Sequence, residues 1–152
     1  MTITTTLAIG LLLIGVVFAA YVRLSPNDPA RWHGDIASAL PAKPGACVDQ
    51  ITVSTASARA VCLLSDPAVS VLANLDAIAT TTPRTRRFAG DAASGRITWI
   101  TRSALWGFPD FTTAQAIQTP EGTRLEIFAR LRFGKSDAGV NAARLRGWLT
   151  AL

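Results

Sequence analysis

LEIFARLR at residues 125–132, FGKSDAG at 133–139 and VNAARLRGWLTAL at 140–152 form the stretch that decides the fold. Leu125, Ile127, Ala129 and Leu131 alternate with Glu126, Phe128, Arg130 and Arg132. That period of two predicts a strand over 123–132 with one face on a core. Gly134 turns the chain, and Ser136 or Asp137 is a natural helix N-cap. From Ala138 onward Leu145, Trp148, Leu149 and Leu152 share one stripe while Arg144 and Arg146 lie off it, which predicts a closing amphipathic helix.

Upstream of this stretch, Thr119-Pro-Glu-Gly122 is turn chemistry for a hairpin, so residues 110–118 pair with it as another strand. Residues 84–89 and 96–103 are further strand candidates around a loop with glycine at both ends, Gly90 and Gly95. Val69, Leu72, Leu75 and Ala79 recur at helical spacing, Ser65-Asp66-Pro67 opens that helix, and Thr81-Thr-Pro83 stops it. Residues 60–64 form one more short strand. The expected fold class is α+β: an N-terminal transmembrane helix, then a small two-layer domain of antiparallel sheet packed with two helices.

Residues 2–22 carry no charged side chain, and 7–22 are almost wholly apolar before Arg23. About 20 such residues suit a bilayer core of about 30 Å. A cleavable signal peptide is the competing reading, with Phe18-Ala-Ala20 as its cleavage site, but the basic start of a signal peptide is missing. The chain therefore divides into an anchor over 1–23, a Pro-rich linker with a Cys-bounded loop over 24–58, and the α+β domain over 59–152. Arg31-Trp32 in the linker is placed either at headgroup depth or folded back on the domain.

The formal net charge is +5. From residue 84 onward there are ten Arg and one Lys against five acids, so the basic excess belongs to the folded half. Such a charge suits nucleic acid or an anionic membrane. For an anchored domain phospholipid is the nearer anion, and nucleic acid is not an expected partner. The only two cysteines, Cys47 and Cys62, stand 15 positions apart across a polar stretch. They read as a disulfide of an oxidising compartment, against two buried thiols as the alternative. Arg23 and Arg31 after the span favour the cytoplasm by the positive-inside rule, and the cysteines favour the periplasmic side of the inner membrane.

No catalytic constellation emerges. Gly134-Lys-Ser136 imitates a P-loop, but Ala129 stands where its first glycine belongs. His33 is the single histidine and lies in the linker, too little for a hydrolase triad or a zinc site. No cofactor or metal is expected. What remains is a polar seam where the last strand meets the last helix, Arg102, Asp110, Arg130, Arg132, Ser136, Asp137 and Asn141, together with an aromatic loop carrying Trp106 and Phe108.

Trp106-Gly-Phe-Pro-Asp110, with Ala129-Arg-Leu-Arg-Phe-Gly-Lys-Ser-Asp-Ala-Gly-Val-Asn141, resembles the paired signature of the domain of unknown function family 1499. Thr82-Pro-Arg-Thr-Arg86 resembles the segment after that family's first helix, and the similarity spans about 63–152. The resemblance implies a bacterial, often membrane-associated envelope protein with no established activity; the cysteines are not part of its pattern. Three functions follow as expectations. The first is a non-enzymatic accessory domain docking a membrane or envelope protein through the Trp106 loop and the basic seam. The second is a module gripping a lipid or small apolar ligand between sheet and helices. The third is a hydrolase using Asp110 or Asp137.

Overall fold

Pro29 fits the first turn of a helix and Asp28 caps it, and from such local signals the described residues build four helices and seven strands. The computed structural model describes residues 2–152. In order these are α1 (Ile3–Leu24), α2 (Pro29–Trp32), β1 (Lys43–Pro44), a 3-10 turn (Cys47–Gln50), β2 (Ile51–Ser54), β3 (Ser57–Leu64), α3 (Ala68–Thr81), β4 (Thr85–Asp91), β5 (Arg96–Arg102), β6 (Pro109–Thr119), β7 (Gly122–Leu131) and α4 (Val140–Ala151). The sheet runs β1-β3-β7-β6-β5-β4, with β2 also on β3, and every pairing but β1 with β3 is antiparallel. The architecture is α+β.

Helix α1 is apolar along most of its length and exposes its apolar side chains almost all round. At 22 residues it is long and apolar enough to cross a membrane.

Alternation along the strands sorts two faces. Leu125, Ile127 and Ala129 of β7, Ala114 and Ala116 of β6, and Ile97 and Trp99 of β5 join Leu72, Leu75, Leu145 and Trp148 of α3 and α4 in the main core. Trp99 and Trp148 meet edge to face with centroids 5.4 Å apart, a favoured aromatic geometry. Trp99 donates its indole N–H to Asp76 at 2.7 Å, and Asp76 also pairs with Arg87.

The other face is covered too, by residues 25–40. The four prolines of 24–58 predict a linker, but the structure makes its first half a strap across the sheet. Trp32 is buried and stacks on Phe111 with centroids 4.2 Å apart, in a small cluster with Ile100 and Phe88. Of the two placements open to Trp32, the folded-back one is adopted. His33 Nδ1 lies 2.9 Å from Thr98 Oγ1, over the outer strands. There Gly90, with φ +77, leaves room that a Cβ would take, 2.6 Å from His33 Cε1. The second half of 24–58 contributes β1, the 3-10 turn and β2 to the sheet edge. Cys47 and Cys62 are bonded, Cα to Cα 5.3 Å, fixing that edge to β3.

Candidate functional site

On β7 the side chains turned away from the helices form a ladder of polar clamps on the strap. Arg124 donates to the carbonyls of Ser38 and Leu40 at 3.0 and 2.9 Å. Glu126, almost fully buried, pairs with Arg59 and accepts the Ser38 N–H at 3.2 Å. Arg130 donates to the Trp32 carbonyl at 3.1 Å and Arg132 to Asn27 Oδ1 and the Ser25 carbonyl. Burial, then the charges of Arg59 and Arg31, pull the Arg130 guanidinium below its ordinary value. The backbone carbonyls that the strap turns to the sheet suit guanidinium, which has donors and no acceptor.

Asp110 sits on the opposite face, half a strand period away. The seam is therefore divided by the sheet: Arg130 and Arg132 serve the strap, whereas Asp110, Asp137 and Asn141 serve α4. Asp137 accepts the N–H groups of Gly139 and Asn141 at 3.0 and 3.1 Å, capping from just before the helix, since Ala138 and Gly139 both take positive φ. Ser136 accepts the Ala138 N–H at 3.2 Å. Asn141 is fully buried and accepts from Arg144 at 2.6 Å, and Arg144 also donates to Asp110 at 3.1 Å. Burial pushes the Asp110 carboxyl up, and Arg144 opposes this only in part. Arg144 is the residue that sequence reasoning missed. The helical pattern puts it off the apolar stripe, and its spacing of three from Asn141 is the available signal.

At the strand ends the two faces meet in a cleft of about 250 Å³ lined by Arg102, Phe108, Asp110, Ser136, Asp137 and Arg144. Arg130, Arg132 and Asn141 do not line it. Next to it the aromatic loop turns back on α1 instead of standing free. Phe18 meets Trp106 and Phe108, centroids 6.0 Å in each case, and Tyr21 meets Phe133 at 6.1 Å. Arg23 donates to the Leu105 carbonyl at 3.1 Å, and Arg102 to the Gly107 carbonyl at 2.8 Å. Gly107, at φ +74, lies under Arg23, where a Cβ would come within 3.0 Å of its Nε.

The clusters carry no acid–base pair. The carboxylates nearest the cleft are committed, Asp110 to Arg144 and Asp137 to the helix end, and among the described residues no three His, Cys, Asp or Glu side chains converge on a metal position.

No curated protein matches the chain. Among solved structures it is similar to protein Ms6760 from Mycobacterium smegmatis, with 10% identity and a TM-score of 0.37 over 66% of this chain and 92% of that one. It is also similar to DR_A0006 from Deinococcus radiodurans, with 12% identity and a TM-score of 0.25 over 68% and 70%. At scores this low neither likeness informs the fold or the site. The model of the family DUF1499, proteins of unknown function, matches residues 35–152, beginning inside the strap and not at residue 63. A match that takes in the strap's second half, both cysteines, the aromatic loop and the whole sheet places this chain in the DUF1499 family.

Proposed function

We propose that the protein is a single-pass inner-membrane protein whose folded domain is a non-enzymatic accessory module, held against the periplasmic surface and serving a membrane or envelope protein partner. The packing of Phe18, Tyr21 and Arg23 on Trp106, Phe108, Phe133 and the Leu105 carbonyl carries the reading. It sets the last turns of an apolar helix against one end of the sheet, and Trp106 and Tyr21 gathered there support a place at the membrane interface, where such aromatics are enriched. The periplasmic side is favoured by the bonded Cys47 and Cys62, since cytosolic thiols are kept reduced. Two arginines after the span weigh less. The commitment of Asp110 to Arg144 and of Asp137 to the helix end supports a non-enzymatic role. A module for an apolar ligand needs a hollow between sheet and helices; Trp99 and Trp148 fill that layer.

Spin labels at Leu105→Cys and, at the far end of the sheet, Glu121→Cys test the placement in full-length protein reconstituted in vesicles. The label at 105 is expected to lie at headgroup depth and the label at 121 in water. Equal accessibility of both to a water-soluble relaxation agent would refute it. For the side, a C-terminal phosphatase fusion is expected to be active, and an active cytoplasmic reporter at the same position would reverse it.

A further inference from the structure

We propose that four arginines at the foot of α1 form a binding site for the phosphate of an anionic phospholipid headgroup. This deepens the membrane reading and rests on it.

Arg23, Arg84, Arg86 and Arg102 line a cleft of about 370 Å³ whose floor includes Ile100 and Gly107. Among the described residues no Asp or Glu lines it, and none of the four takes part in an ion pair. Among the described residues their side-chain hydrogen bonds go to backbone carbonyls: Arg23 to Leu105, Arg84 to Arg102, and Arg102 to Gly107 and Arg23. The carbonyls set the direction of these side chains without neutralising them. The Arg86 side chain, on a residue paired with Ile100 in the sheet, has no hydrogen bond among the described residues and is exposed.

Gathering four like charges in a cleft lined by no carboxylate is unfavourable; Arg102 is half-buried and the other three exposed, and the carboxylates of the adjoining cleft, Asp110 and Asp137, are committed to Arg144 and to the end of α4. Burial and the charges of Arg86, Arg132 and Arg23 pull the Arg102 guanidinium below its ordinary value, the mark of a site that gains from an anion. Fork-shaped guanidinium groups match the oxygens of a phosphate.

Position selects the source of that phosphate. Arg23 belongs to the last turn of the apolar helix. Leu105, 76% exposed, and Trp106 flank the same cleft on the loop that packs against Phe18. With α1 in a bilayer the cleft opens at headgroup depth, where lipid phosphate is abundant.

The test uses full-length protein in nanodiscs of equal phosphatidylcholine and phosphatidylglycerol, released and weighed by native mass spectrometry. The wild type is expected to retain phosphatidylglycerol several-fold over phosphatidylcholine. The Arg84→Gln, Arg86→Gln double variant is expected to lose that preference, and Arg86→Gln alone to reduce it with its melting temperature unchanged. Arg146→Gln, an exposed charge on α4, is expected to keep it. Unchanged enrichment in the double variant would overturn the site, as would an equal loss in Arg146→Gln. Displacement of the lipid by millimolar inorganic phosphate would overturn the lipid source. Protein that stays in alkali-washed membranes yet shows no preference refutes this site alone. Protein washed free refutes the membrane reading with it.

Discussion

Arg144 shows how one side chain settles the meaning of its neighbours. Its guanidinium joins buried Asn141 to Asp110, and so ties α4 to β6. Asp110 carries a raised carboxyl, because burial disfavours its charge more than Arg144 restores it. Arg144→Met is expected to destabilise the domain by about 3 kcal/mol, since breaking a buried pair strands the other charge. Adding Asp110→Leu should recover most of this, because a fully apolar pair avoids both desolvation costs. Asp137→Ala should cost only about 1 kcal/mol, the usual value of a lost cap. Chemical denaturation of the four proteins checks the order, and an Asp137→Ala loss larger than that of Arg144→Met would contradict it.

At the scale of elements, β7 and the strap explain each other. A strand whose second face reads Arg124, Glu126, Phe128, Arg130 has the look of a solvated surface, but here Arg124 and Arg130, with Arg132 beyond them, hold residues 25–40 by their carbonyls, and Glu126 accepts the Ser38 N–H. His33 adds a pH dependence. Burial first, then Arg96, holds its imidazole below the ordinary 6.5. A base whose folded value is depressed contributes stability that is full above its unfolded value and lost as pH falls through the folded one. Asp35, Asp76 and Asp91, also held low, lose theirs only near pH 4 and below. Asp110, held high, acts in the opposite sense on acidification. Strap stability is therefore expected to fall as pH drops below 6.5. Hydrogen exchange of residues 30–38 reads this directly, and His33→Gln should flatten the profile between neutrality and about pH 5. An identical slope in the variant would assign the effect elsewhere.

Across the whole molecule the disulfide closes a 15-residue loop that brings the 3-10 turn and β2 onto β3. Loop closure of that length is worth about 3 kcal/mol in the chain-entropy model. Cys47→Ala with Cys62→Ala is expected to lower unfolding stability by about that much while leaving the strap's exchange protection in place. A fully reduced wild type should melt with the double variant, and a reduced protein as stable as the oxidised one would remove the bond from the stability account. Local signals suffice for the elements of the second half: alternation in β7, glycine and proline turns, and helical spacing in α3 and α4 are set by neighbours within a turn or a hairpin, so sequence alone determined the α+β class. The apolar run of α1 was legible for the same reason. What covers the second face was not. The strap contributes mainly backbone carbonyls, which every residue carries, and prolines that break regular structure, so its docking leaves no periodic trace. Nor does sequence distance reveal that Arg23, Arg84, Arg86 and Arg102 share a cleft, or that Arg130 and Asp110 stand on opposite sides of one sheet. Only tertiary structure decided these, because strand register and parity, not composition, determine which charges meet.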